Sequence, residues 1–424
     1  MLLQFSIKNF RTFKNKATLS LIASNYDKDT REYENIETNI NFGLRILKSA
    51  VVYGANSSGK SKLLDAFSFM RYFVINSSKE SQKGEVIKIE PFRLDRNSIN
   101  EPTEFEVIFI HNKVLFRYGF EVTKEKIISE WLFYKPKTKE IELFYREGNE
   151  YKIHNRNFSK GDTLVKEGLV RDNALLISVA AQFNEKSAID VLEWFEKNRV
   201  ISGLYDAEYR DNTVNKISNK SNKNTVLKFL KAADIGIEDL EILTVNSGQF
   251  KESPFSTVLI IKNTYEENIK SGTTPFFLSI DESEGTRKYF YILGPVIDAL
   301  EDGGILVVDE LDSKLHPNLV CKIVSLFNSK EFNKKCAQLI FNTHDTNLLS
   351  SGLFRRDQIW FTNKNKYGEA ELYSLADFKS DEVRKTEPFE DNYINGKYGA
   401  VPFLGFFDNL NFLLTENENE GQKS

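Results

Sequence analysis

The chain has 424 residues, 57 basic and 61 acidic side chains, a net charge of −4 and 41% hydrophobic residues. That balance belongs to a globular protein of two or more lobes with a sizeable core, and it demands no nucleic-acid partner. Cys321 and Cys336 have no CxxC spacing, which excludes a disulfide framework or a cysteine zinc site and fits a reducing cytoplasm. The opening MLLQFSIKNFRTFKNK lacks the features of a signal peptide, and no window reaches the ~18 apolar residues of a membrane span. The expectation is a cytoplasmic protein that makes no membrane contact of its own.

Residues 2–7 and 17–23 read as strands around the turn KNFRTFKNK, and 25–45 as polar loop. SAVVY (49–53) is a short buried strand, and Leu63, Leu64, Phe67, Met70 and Phe73 then recur at helical spacing. Residues 86–135 read as a meander of VIKIEPF, TEFEVIFI, VLFRYGFEV and IISEWLFYK, with shorter strands over 141–165. NALLISVAAQF and SAIDVLEWFEKN read as helical or mixed, and the Asn/Lys-rich stretch 205–225 as a mobile loop. From Pro275, GGILVVDE, HPNLVCKIVSLFN, CAQLIFNTH and DQIWFTNK alternate strand and helix, implying a parallel sheet covered by helices. No a/d heptad persists, which excludes a long coiled-coil arm.

Gly54-Ala55-Asn56-Ser57-Ser58-Gly59-Lys60-Ser61 satisfies G-x-x-x-x-G-K-[ST] at every fixed position, between a strand and a helix. The glycines let successive N–H groups of Gly54, Asn56, Ser57, Ser58 and Gly59 turn inward, with Lys62 just beyond. Lys60 reaches the β- and γ-phosphates, Ser61 ligates Mg²⁺, and the helix aims its positive end at the anion. ATP and Mg²⁺ are therefore the expected ligands. Ile305–Glu310 is an apolar strand ending in two carboxylates: Asp309 would hold Mg²⁺ through its water shell and Glu310 would polarise the attacking water.

Four further stretches resemble ABC-type ATPases. Leu311-Asp312-Ser313 resembles their D-loop, which puts Asp312 beside the nucleotide. Thr343-His344-Asp345 resembles their switch histidine, which senses the γ-phosphate. Ser283-Glu284-Gly285 resembles a signature that departs from LSGGQ; in that family this serine and glycine contact the γ-phosphate held by the opposite protomer. Ile7–Phe13, IKNFRTF, resembles the "NFRSF" opening of the SMC, RecF and OLD branch, in which Arg11 or Lys8 would approach the nucleotide; transporter ATPases lack it. Gln182, in SVAAQFN, stands as the Q-loop glutamine and a metal ligand.

Together with LSLIASN, RRDQIWF and NGKYGAVP, these stretches resemble the stand-alone AAA-15/AAA-21 ATPases of prokaryotic defence islands, of RloA/AbiLi type, with the ATPase subunit of the PARIS system as a sibling. The resemblance implies an α/β fold: an ABC-type head with a mixed or parallel sheet, an antiparallel β lobe and a helical insertion. It implies an ATPase forming a homodimer or higher even oligomer, with a separate effector such as a TOPRIM-type nuclease, a phage-encoded trigger, and nucleic acid met through the complex. With 80 residues after His344, the expectation is that any TOPRIM-type nuclease is a separate chain. The alternative is a RecF-like DNA-repair ATPase using lysines 216, 220, 223, 228 and 231. The expected domains are 1–135 (phosphate loop and meander), 136–270 (inserted subdomain), 271–414 (signature, carboxylate pair and switch histidine) and a disordered tail, 415–424.

Overall fold

The computed structural model describes residues 1–25, 28–39, 41–80, 82, 84–233, 236–245, 255–379, 383 and 387–402; the expected tail lies outside them. In chain order, β1 (Leu2–Lys8) and β2 (Ala17–Ser20) precede α1 (Glu32–Asn35), β3 (Ile36–Asn39), β4 (Leu44–Leu47), β5 (Ser49–Tyr53) and α2 (Lys60–Asn76). There follow β6 (Thr103–His111), β7 (Val114–Val122), β8 (Ile127–Lys135), β9 (Ile141–Glu147), β10 (Glu150–Ile153), α3 (Ser159–Lys166), α4 (Leu176–Gln182) and α5 (Lys186–Lys197). Next come β11 (Arg199–Ser202), α6 (Ala207–Ile217), α7 (Lys220–Ala232), β12 (Asp239–Val245), β13 (Phe255–Glu266), β14 (Ile269–Phe277), α8 (Leu278–Asp281) and α9 (Glu284–Asp302). The last are β15 (Ile305–Asp309), α10 (Pro317–Asn328), β16 (Gln338–Asn342), α11 (Asn347–Ser350), β17 (Ile359–Lys364), β18 (Ala370–Ser374) and α12 (Phe389–Ile394).

A six-stranded sheet, ordered β11-β15-β16-β5-β17-β18, forms the centre. Its first five strands are parallel and β18 is antiparallel. Strand alternation sends successive residues to opposite faces. Val52 therefore enters a core with Leu64, Phe67 and Trp194, while Val51 enters another with Phe290, Val320 and Phe341. Both faces are covered, which is why β5 and β16 read as unbroken buried runs. The seven-stranded antiparallel sheet β10-β9-β8-β7-β6-β1-β2 packs its aromatic face on α2 and α5. Phe5 meets Phe67 edge-on at 5.3 Å, and Phe109 stacks on Trp194 at 4.0 Å. The fold is thus mixed α/β, with an antiparallel lobe and a helical segment carrying the third sheet, β12-β13-β14.

β9 and β10 extend the antiparallel sheet past 135, β11 joins the central sheet from within 136–270, and the third sheet crosses 270. Other expectations are corrected. VIKIEPF is not a strand but an irregular strap: Ile87 and Ile89 are buried, yet its backbone bonds go to the turns at Lys124 and Arg11. Residues 25–45 contain α1, β3 and the start of β4. The expected loop 205–225 is helical, because Tyr209, Thr213, Val214 and Ile217 share one buried face under the Asn/Lys residues. Pro295 inside α9 has no N–H for the carbonyl four residues back, that of Tyr291. The Thr213 hydroxyl donates to that carbonyl at 2.5 Å and accepts from Gly294 N–H at 3.1 Å. Lys216, Lys223 and Lys231 pair with acids (Asp298 and Glu301, Asp239, Glu238), so these three form no open basic groove.

The antiparallel lobe hides a carboxylate, Glu130, at 0% exposure. It accepts from the N–H groups of Leu176 and Ile177 at 2.7 and 3.0 Å and from Tyr118 OH at 3.0 Å, with the buried Arg146 at 3.9 Å. Burial pushes its carboxyl upward, opposed by Arg146 and the backbone donors. Glu130→Ala would orphan the two amides and leave Arg146 without its carboxylate. The expected loss is about 3 kcal/mol in urea unfolding, with nucleotide affinity of the folded protein unchanged.

Candidate functional site

The loop between β5 and α2 is set by packing. Gly54 has φ 154°, and a Cβ there would meet Ser58 Oγ and Thr362 O and Oγ1 at 2.5 Å. A Cβ on Gly59, at φ 121°, would meet Ala370 Cβ, Thr12 Oγ1 and the Phe13 ring at 3.1, 3.2 and 3.3 Å. Only glycine fits both positions. Ser58 and Thr362 share a 2.6 Å hydroxyl hydrogen bond, so β17 buttresses the loop from behind. Asn56 and Ser57 are exposed on its rim, with Ser57 left-handed at φ 62°. Lys60 is buried, and its ammonium donates to Gly54 O at 2.7 Å and Ala55 O at 3.1 Å. Burial pulls its pKa down, while Glu310, Asp309 and Asp312 push it up. A lysine that lies under its own loop's carbonyls, facing three acids, is poised to exchange them for phosphate oxygens.

The parallel order β15-β16-β5 brings the carboxylates to the same edge. Asn342, at the end of the intervening strand, is 0% exposed. Its amide donates to Asp309 Oδ1 at 2.5 Å, and its oxygen accepts from Glu310 N–H at 2.5 Å. Glu310 is left-handed at φ 55°, a conformation uncommon outside glycine. His344 follows β16 and is exposed; its N–H donates to Asp312 Oδ2 at 3.2 Å, which ties the D-loop-like turn to the histidine.

One cavity of about 680 Å³ is lined by Thr12, Asn56, Ser57, Gly59, Lys60, Ser61, Lys62, Glu310, His344 and Lys364. A second, of about 450 Å³, shares Thr12, Lys62 and Lys364 and adds Arg11. Arg11 pairs with Asp65 and with Glu90 at 3.4 Å, and its Nε is buried without a partner. Thr12, Lys364 and Asn342 are the residues that motif reading misses. Thr12 Oγ1 is buried, unpartnered and set against Gly59. The donor set fits a polyphosphate with a divalent cation: an ammonium and a glycine-lined cradle for the anion, Ser61 and Asp309 for the ion.

Gln182 is not there. Ser178 of its helix donates to Val74 O near the far end of α2, and Gln182 is exposed one turn on. Thirteen helical steps lead from Ser61 to Val74, about 20 Å, so Gln182 cannot share a metal with Ser61. Ser283 and Gly285 also lie outside the nucleotide cavity. Ser283 caps α9 by accepting from Thr286 N–H at 3.1 Å, and Gly285 lies against Lys314 O. Beside them a polar cavity of about 270 Å³ is lined by Gly203, Asp206, Arg210, Arg287, Lys288 and Lys314, among others. Lys288 is 3% exposed, and burial pulls its pKa down to about 8. It donates to Gly203 O, and Gly203 N–H donates to Asp309 O at 2.5 Å. A two-step chain thus joins α9 to the carboxylate pair.

Residues 49–350 match the family model described as "AAA domain, putative AbiEii toxin, Type IV TA system". No curated protein matches. Among solved structures, the SMC head domain from Thermotoga maritima is similar at 14% identity and TM-score 0.42, covering 88% of this chain and 98% of that one. Among the described residues no helix is long and apolar enough to cross a membrane.

Gly54→Ala should weaken binding of a fluorescent ATP analogue at least about tenfold, the equivalent of ~1.4 kcal/mol, with an unchanged circular dichroism spectrum. Wild-type affinity in that variant would show that the loop does not close as described.

Proposed function

The chain belongs to this family of AAA domains, and from that premise we propose that it is a Mg²⁺-dependent ATPase of ABC type. Two copies close head-to-tail around ATP and thereby control a separate effector protein, a nuclease, in anti-phage defence. The observation that carries the reading is topological. Three adjacent strands deliver Lys60, Ser61, Asp309, Glu310 and His344 to one edge of the sheet, whereas Ser283 and Gly285 lie outside that cavity, which supports a nucleotide on a second copy as their partner. The family description, which names a toxin of a toxin–antitoxin system, supports the defensive role.

Within one copy, Lys60 leaves the carbonyls of Gly54 and Ala55 for the β- and γ-phosphate oxygens. Ser61 and Asp309 would hold Mg²⁺, which when bound neutralises the charge on those oxygens. Asn342 keeps Asp309 and the Glu310 amide in register, so that the Glu310 carboxylate is aimed to orient the attacking water. His344, at the cavity's edge, senses the terminal phosphate. ATP then favours the closed pair through contacts that exist only there.

Glu310→Gln should accumulate as an ATP-bound dimer in light scattering, with turnover reduced about 100-fold. Adding Ser283→Arg should return it to monomer; a persisting dimer would remove α9 from the interface. With the whole operon expressed in a phage-sensitive host, Lys60→Ala should abolish plaque protection. Full protection by that variant sinks the defence reading, and failure to recover any partner protein with the wild-type chain sinks the effector.

A further inference from the structure

On the antiparallel lobe, away from the nucleotide edge, His111 ends β6 and faces Asp190 and Glu193 on α5. The two acids are three residues apart and so share one helix face. One imidazole nitrogen and one oxygen from each carboxylate lie within 4.8 Å of one another. His111 is 7% exposed, and its Nε2 stands 3.4 Å from Glu193 Oε2, a long contact for a hydrogen bond. Asp190 Oδ1 is held at 2.8 Å by the amide of Asn112, a neutral donor from the β6–β7 turn.

Among the described residues no lysine or arginine pairs with Asp190 or Glu193.

We propose that His111, Asp190 and Glu193 form a site for a divalent transition-metal ion, of which zinc is the best fit, separate from the nucleotide's Mg²⁺. A nitrogen donor with two carboxylate oxygens selects a borderline ion over the hard, all-oxygen Mg²⁺ or Ca²⁺, and the half-exposed Glu193 leaves a fourth position to water. Asn112 acts as the outer partner that fixes Asp190. The ion would clamp the β6–β7 turn to α5, the helix that leads through Asn198 into β11 beside the carboxylate strand.

The test uses the full chain, stripped with chelator and dialysed against ZnCl₂ with Mg²⁺ in excess. Bound zinc is read by mass spectrometry, and Co²⁺ serves as a spectroscopic probe of nitrogen ligation. One equivalent of zinc is expected. His111→Gln and Glu193→Gln should each weaken it at least tenfold and remove the Co²⁺ bands, while Lys60→Ala leaves both intact. Glu193→Gln changes a half-exposed side chain and keeps the test valid if the His111 variant fails to fold. Zinc below a tenth of an equivalent, or equal zinc in wild type and Glu193→Gln, overturns the site.

Discussion

The double hydrogen bond of Asn342 is the constraint on which the catalytic edge depends. Its oxygen holds Glu310 N–H and its amide holds Asp309, both at 2.5 Å. Because β16 lies between β15 and β5, the same residue fixes the spacing between the carboxylates and the phosphate loop. An aliphatic replacement would leave the half-buried Glu310 amide unpaired and free the left-handed turn there, a cost borne in geometry before stability. Much of the surrounding fold serves this register: both sheet faces are buried, so no strand can slip without moving a core.

Much of this was legible in residue order. SAVVY, ILVVDE and QLIFNTH are short apolar runs ending in polar groups, and a covered parallel sheet makes strands of that kind. The glycines at 54 and 59 had to be glycine, and the structure shows what they face. Asn342 was not legible, because an asparagine at a strand end is common and its significance lies in a neighbour 33 residues away. Thr12 was equally silent: its approach to Gly59 depends on how the antiparallel lobe sits against the central sheet.

The errors share a cause. Residues 205–225 were read by composition, and their abundant Asn and Lys masked four buried positions at helical spacing. VIKIEPF was read by alternation, and the alternation of Ile87 and Ile89 is real, but their backbone is held by turns rather than by a strand. Gln182 was placed by its motif context, and distance along α2 forbids it. In each case local pattern was sound and the tertiary partner decided the outcome.

The hydroxyl of Thr213 has a further consequence. It supplies the donor that Pro295 lacks, inside a buried contact, so α6 cannot part from α9 without stranding the Tyr291 carbonyl away from water. The two helices are therefore tied together at this point. Through Lys288 and Gly203 the same pair reaches the backbone of Asp309, so the polar cavity lined by α6 and α9 and the carboxylate pair share one chain of hydrogen bonds.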